Sequence, residues 1–267
     1  MARILKPSAL PVAAEPASGA VVHASSGGRL FAGTSGWAYA TWKPGFYPEK
    51  LPAKKFLEFY ASQLTSVEVN YTFRALPTAK MLDGWLAATS ANFRFSFKAP
   101  QRITHFSRLR ECAADLAQFV AALEPVRAAG KLGLLFFQLP PNFKADVSRL
   151  DGFLAEPLLQ GHAVAFEFRH ESWFAEETYA VLRRHNAALC IAESDDLVTP
   201  EVHTAATYTC FRLRRNGGYK AAEIAALAVR LTALAQERDV YVYFKHEDEP
   251  TGVLNATSFL TAAAGRS

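Results

Sequence analysis

The sequence predicts a single (β/α)8 barrel of the TIM type. Three observations carry that expectation. Short β-type runs alternate with amphipathic, helix-favouring segments, the pattern of parallel β/α architecture. About eight such runs fall in roughly 250 residues, which fits a closed eight-stranded barrel. No Gly-rich dinucleotide fingerprint follows the first run, and no P-loop is present. An open doubly wound sheet of the same strands is the alternative, because periodicity does not show closure.

In chain order, residues 1–28 are rich in Ala, Pro, Ser and Gly and lack a sustained period, so they are expected to form a disordered tail. The barrel domain is expected to occupy residues 29–267. Its first strand is Leu30–Thr34. A helix over Lys54–Gln63 follows, with Phe56, Leu57 and Tyr60 at helical spacing. The second strand is Ser66–Asn70 and its helix Thr78–Ala88. The third strand, Phe93–Lys98, leads to a long helical segment over Cys112–Ala129. Leu132–Gln138 is the fourth strand, followed by a helix over Asp146–Leu154. Ala163–Phe168 is the fifth, followed by a helix over Glu176–His185. Ala188–Ala192 and Thr207–Leu213 are the sixth and seventh. A helix over Ala221–Gln236 and a last strand at Asp239–Phe244 complete the alternation.

Composition narrows the class. Half of the 267 residues are hydrophobic and a fifth are charged, ordinary values for a globular protein. A net charge of +4 allows an anionic ligand without demanding nucleic acid. Cys112, Cys190 and Cys210 lie in apolar contexts and form no CxxC pair, which argues for a reducing compartment. No apolar run is long enough to span a membrane and no signal peptide is evident, so the expected location is the cytoplasm. No motif names a cofactor or fixes an oligomeric state.

The informative feature is how the strands end. Ala163-Val-Ala-Phe-Glu-Phe-Arg169 is an apolar run interrupted by Glu167 and Arg169, which share one face because they are two residues apart. Similar endings recur: Glu68 and Asn70, Lys98, Gln138, Arg212, and Lys245 after the last strand. If the phenylalanines face the helices, these polar groups converge on the C-terminal mouth, where barrel enzymes place their sites. The ring holds two acids and four bases, and an anionic ligand such as a phosphate or carboxylate would balance it. A buried network of mutually neutralised charges is the plainer reading. The basic, Gly-rich loop from Arg214 to Lys220 precedes a helix and could hold phosphate on backbone N–H groups, or be a solvated turn.

Aromatic residues gather after the same strands. Trp37, Tyr39 and Trp42 follow the first, Tyr71 and Phe73 the second, and Trp173 the fifth. Trp37 and Trp173 are candidate platforms for a sugar or base, with core packing as the alternative for each. His105, His170 and His246 form no HxH or HxxxH pair, so spacing indicates no metal site. His105 is a candidate proton donor.

Taken together in order, several motifs are specific. They are Gly33-Thr-Ser-Gly-Trp37 with Trp42 and Phe46-Tyr-Pro48, Val67-Glu-Val-Asn70 with Thr72-Phe73, and Lys98-Ala-Pro100 to Thr104-His105. Phe137-Gln-Leu-Pro140, Glu167-Phe-Arg-His170 with Ser172-Trp173, and Tyr241–Phe244 continue the set. On these the chain resembles the YecE-like family of uncharacterised proteins, a domain-of-unknown-function family. The resemblance runs from about Phe31 to Leu260. It implies a TIM-type barrel and supplies no reaction. Relatives often carry Phe-Tyr where this chain has Phe73-Arg74, His-Gly where it has Arg214-Arg215, and two asparagines where it has Lys245-His-Glu-Asp248. The last two differences imply a more charged ligand or only a loop change.

Three functions fit. The first is an enzyme on an anionic small molecule, a phosphate ester or nucleic-acid fragment. In it Asn70, Lys98, Gln138, Arg169, Arg212 and Lys245 bind substrate, Glu68 or Glu167 is the base and His105 the acid. The second is a glycosidase-like hydrolase using Glu68 and Glu167 as its carboxylate pair. The third is a non-catalytic binding or scaffold protein.

Overall fold

The computed structural model describes residues 22–23, 27–194, 196–245 and 249–265. Its sheet has nine strands. A short strand β1 (Val22–His23) pairs antiparallel with the start of β2. The barrel strands are β2 (Arg29–Thr34), β3 (Ser66–Val69), β4 (Arg94–Lys98), β5 (Leu132–Gln138), β6 (Ala163–Glu167), β7 (Ala188–Glu193), β8 (Tyr208–Leu213) and β9 (Asp239–Phe244). These eight are parallel and run in the order β2-β9-β8-β7-β6-β5-β4-β3. All eight coincide with the expected runs to within a residue or two. Most of the expected tail lies outside the described residues, but the pairing of Val22 with Leu30 and of His23 with Arg29 places regular structure ahead of residue 29.

The two faces of each strand behave as alternation requires. Val67, Val69, Phe95, Phe97, Phe137, Phe166 and Phe168 are buried in the layer shared with the helices. Phe31, Leu134, Phe136, Ala165, Cys190, Cys210, Tyr241 and Tyr243 fill the barrel interior. Inward positions nearer the C-terminal ends are then left for Glu68, Lys98, Gln138, Glu167 and Arg212. Below them the Tyr243 hydroxyl donates to Ser96 Oγ at 2.6 Å and meets Ser66 Oγ at 2.8 Å, so the buried polar atoms under the mouth are paired.

The helices are α1 (Phe56–Gln63), α2 (Ala79–Ala87), α3 (Ala113–Ala122), α4 (Glu124–Ala128), α5 (Val147–Leu154), α6 (Glu176–Arg184), α7 (Ala221–Leu234) and α8 (Thr251–Ala264). The segment expected as one helix over Cys112–Ala129 breaks at Leu123. Pro125 explains the break, since its ring clashes with the carbonyl four residues back and it has no N–H to donate. α8 is an addition to the sequence reading. Its buried residues Val253, Ala256, Phe259, Leu260 and Ala263 follow helical spacing. The β7–β8 connection contains no helix among its described residues. Among the described residues no helix is long and apolar enough to cross a membrane.

The barrel closes between β2 and β3 without a continuous ladder. Thr65 N–H donates to Ala32 O at 3.2 Å, and Ser35 and Glu68 form an isolated bridge. Tyr60, brought in by α1, fills the gap. Its hydroxyl accepts from Thr34 N–H at 2.7 Å and donates to Ser66 O at 3.0 Å. Gly33 faces this seam, where a Cβ would lie 1.8 Å from Ser66 O. Tyr60→Phe keeps the ring and strands two buried backbone groups. It is expected to cost about 1–3 kcal/mol in a denaturant melt; a loss below about 0.5 kcal/mol would mean that the hydroxyl is not closing the barrel.

Candidate functional site

Three strands bring the central charges together. Arg212, at the end of β8, is buried and donates from Nε and Nη2 to Glu68 Oε2 and Oε1 of β3, both at 2.8 Å. Its Nη1 donates to Glu167 Oε2 of β6. One guanidinium therefore joins two carboxylates in a bidentate and a single contact, the fork geometry that suits Arg. Its carbon lies 4.8 Å from the centre of the Phe136 ring below.

The network continues outward from Glu167. Gln138 is level with it across the β5–β6 ladder and donates Nε2 to Glu167 Oε1 at 2.7 Å. Lys98 Nζ donates to Gln138 Oε1 at 2.8 Å and sits 4.3 Å from the centre of the Phe73 ring. Arg169 Nε is 3.7 Å from Glu167 Oε1. Burial pushes the Glu167 carboxyl up, but Arg212 and Arg214, together with hydrogen bonds from Arg212 and Gln138, outweigh it and hold the group below the usual carboxylate range. Burial and the nearby Arg212 charge lower the Lys98 ammonium to about 8, against the pull of Glu68 and Glu167.

Above this floor opens a cavity of about 360 Å³. Asn70, Tyr71, Phe73, Arg74, Lys98, Gln138, Arg169, Arg212 and Arg214 line it. Five of these are cations and none is an acid; the two carboxylates lie beneath, held by Arg212. The Asn70 amide oxygen is buried and has no donor among the described residues. A larger cavity of about 730 Å³ lies at the other end of the barrel among strand starts such as Ala163, Tyr208 and Asp239. Barrels concentrate chemistry at the C-terminal ends of their strands, so the smaller cavity is the candidate site.

Seven of the expected residues therefore cluster: Glu68, Asn70, Lys98, Gln138, Glu167, Arg169 and Arg212. Four stand outside this cluster. Trp173 is fully buried, donates Nε1 to Phe143 O at 2.7 Å and stacks on Phe168, so it is core rather than a ligand platform. Trp37 packs edge-on against Trp85. Lys245 donates to Asn216 and borders a separate small cleft with Tyr219 and Asn255. His105 stands at the rim, with Nδ1 2.9 Å from Thr104 Oγ1 and its ring edge-on to Phe73. Burial, then Lys98, Arg169 and Arg108, lower its pKa, which favours the neutral imidazole. His246 lies outside the described residues. Among the described residues no cluster of three His, Cys, Asp or Glu side chains could hold a metal ion.

Two cavity residues, Arg74 and Arg214, were not among the expected site residues. Arg214 lies two beyond Arg212 and shares its facing, a signal available in the sequence. Arg74 directly follows the aromatic pair at the β3 end. Several groups of the Arg214–Lys220 loop are engaged within the protein. Arg215 pairs with Glu193 and Glu223, both at 2.5 Å. Lys220 N–H donates to Glu223 Oε2 at 2.8 Å and Tyr219 N–H to Asn255 Oδ1 at 3.1 Å.

Fold and site together define a class: a parallel β/α barrel whose C-terminal mouth is a small cation-lined cavity on a buried Glu–Arg–Glu floor. Within that class the chain belongs to the family described as "Protein of unknown function DUF72", whose model matches residues 31–267. It is 30% identical over 158 residues to the UPF0759 protein YunF of Bacillus subtilis, covering 56% of this chain and 54% of that one. It is 34% identical over 121 residues to the UPF0759 protein YecE of Escherichia coli K12, covering 45% and 43%. The matched regions thus span about half the length of these curated relatives. A DUF72 family crystal structure from Thermotoga maritima superposes with a TM-score of 0.75 at 26% identity, over 87% of this chain and 98% of that chain. One from Enterococcus faecalis V583 gives 0.74 at 19%, over 88% and 95%, a likeness of fold alone.

Proposed function

We propose that the mouth cavity binds a small anionic molecule carrying a phosphate or carboxylate group. The observation that carries this reading is the cavity lining, with Arg74, Lys98, Arg169, Arg212 and Arg214 and no acidic side chain. Arg212 is already matched by Glu68 and Glu167, so the charge available to a ligand is that of Lys98, Arg169, Arg214 and Arg74. Carboxylates bound to one buried arginine are poorly placed for a glycosidase pair, which needs one acid free to give up a proton. Their role in this reading is to fix the Arg212 guanidinium. About 360 Å³ falls within the roughly 300–1,000 Å³ range of small-molecule pockets. A nucleic-acid fragment shares the phosphate chemistry, and titration with a short oligonucleotide separates it from a compact ligand.

Calorimetric titration with inorganic phosphate, a sugar phosphate and citrate tests the reading. At least one is expected to bind and to raise Tm by mass action. Arg169→Ala and Arg214→Ala are each expected to weaken it by about 1.5–3 kcal/mol, roughly tenfold or more in Kd, for a lost charge-assisted contact. Equal affinity in both variants, or no binding by any of the three anions, would remove the pocket from consideration as an anion site.

A further inference from the structure

Lys98 differs from the two cavity arginines nearest the floor. Arg212 is fixed on two carboxylates and Arg169 approaches Glu167. The Lys98 amine instead meets a neutral amide oxygen and an aromatic face. Among the described residues no carboxylate forms an ion pair with it. The Gln138 amide explains that orientation. Glu167 is held as a carboxylate and can only accept, so the Gln138 NH₂ must turn toward it. The Gln138 oxygen is then left to receive Lys98. One ion pair on the barrel floor thereby places a lysine nitrogen, without a counter-ion of its own, at the end of β4 inside the cavity.

Resting on the anion-pocket reading above, we propose that Lys98 forms a Schiff base with the aldehyde or ketone of a small phosphate- or carboxylate-bearing compound. Arg169 and Arg214 hold the anionic group while Nζ meets the carbonyl carbon. The neutral amine donates its lone pair to that carbon, the C–N bond forms, and the C=O π pair moves to oxygen. The oxygen takes a proton from the nitrogen, giving a carbinolamine. A further proton transfer and loss of water then leave the C=N bond, so one carbonyl and one amine give one imine and one water. No oxidant or reductant is consumed. The unpartnered Asn70 oxygen, lining the same cavity, is an acceptor for the carbinolamine O–H or a substrate hydroxyl. Burial, with the Arg212 charge beside it, also raises the share of neutral amine: with the ammonium lowered to about 8, roughly a tenth is free at pH 7. A lysine surrounded in this way is suited to nucleophilic use as well as to charge pairing.

Borohydride trapping tests the inference. The full chain is incubated with dihydroxyacetone phosphate, or separately with pyridoxal 5′-phosphate, reduced, and mapped by peptide mass spectrometry. The expected result is one dominant secondary-amine adduct at Lys98, suppressed by excess inorganic phosphate and absent in Lys98→Arg. That variant should keep a cooperative thermal melt close to the wild type's, which shows that it is folded. Adducts spread over surface lysines with Lys98 unmodified, in protein that binds phosphate, would overturn the Schiff base and leave the anion pocket standing. An adduct at Lys98 that phosphate does not suppress would overturn the anchoring role of Arg169 and Arg214. Failure of both trapping and phosphate binding would overturn the pocket reading itself.

Discussion

Arg212→Met is expected to destabilise the protein by about 3–5 kcal/mol, the range for removing one member of a buried ion network. The substitution retains most of the volume over Phe136 but strips from Glu68 its only direct cationic partner among the described residues. Glu167 keeps Gln138 and the more distant Arg169. Two carboxylates then face each other across a buried barrel floor, and the cheapest response is protonation. The pH dependence follows. In the wild type the Glu167 carboxyl is held below its unfolded value, so its contribution is fully present above about pH 4.3 and is lost as pH falls through the folded value. In Arg212→Met the Glu167 carboxyl loses the arginine that does most to hold it down, and acid relieves the repulsion on the floor. The gap between the two proteins should therefore narrow on acidification. Equilibrium urea melts of both across the acidic range measure it. A triple variant, Glu68→Gln, Glu167→Gln and Arg212→Met, should recover much of the loss, because no unpaired charge remains. A single variant within about 1 kcal/mol of wild type, with a pH-independent gap, would show that the network does not hold the floor together.

The parallel strands were legible because burial on both faces leaves short continuous apolar runs, and all eight appear where those runs do. The polar residues closing them were legible for the same reason: Glu167 and Arg169 contradict the apolar texture around them. Their pairing was not. Arg212 reaches Glu68 across 144 residues of sequence, and no local rule states which acid meets which base once the sheet curls. The aromatic residues show a second limit. Trp173 and Phe73 both follow a barrel strand, yet one is core and the other lines the cavity. Burial is a property of the neighbours: Phe143 supplies the carbonyl that satisfies the Trp173 N–H, and nothing in the local sequence announces it. Arg214 was readable from period-two spacing with Arg212, whereas Arg74 depends on the turn after β3.

Lys98→Met is expected to stabilise the ligand-free protein near pH 7, by on the order of 2 kcal/mol. Lys98 faces Arg212 and Arg214 from β8 and its following loop, Glu68 from β3, Glu167 from β6, and His105 from its own loop. Burial and the Arg212 charge outweigh the two carboxylates and bring the ammonium from 10.5 to about 8. Below about pH 8 the amine is charged in both folded and unfolded chains, and the folded state carries the cost. Between about 8 and 10.5 the folded chain releases the proton while the unfolded chain keeps it. The unfolded state then binds more protons, so stability rises with pH across that window. Above it both states are neutral and the rise stops. Lys98→Met lacks this slope, and its advantage should disappear over the same window. Parallel melts of the two proteins from about pH 7 to about pH 10 cancel the other lysines and tyrosines in the difference. Inorganic phosphate should act in the opposite sense on the wild type, because a bound anion favours the ammonium and moves the rise to higher pH. If the difference between the proteins is flat with pH, Lys98 is not the strained cation of the cavity. If phosphate leaves the rise unmoved, the anion does not sit beside it.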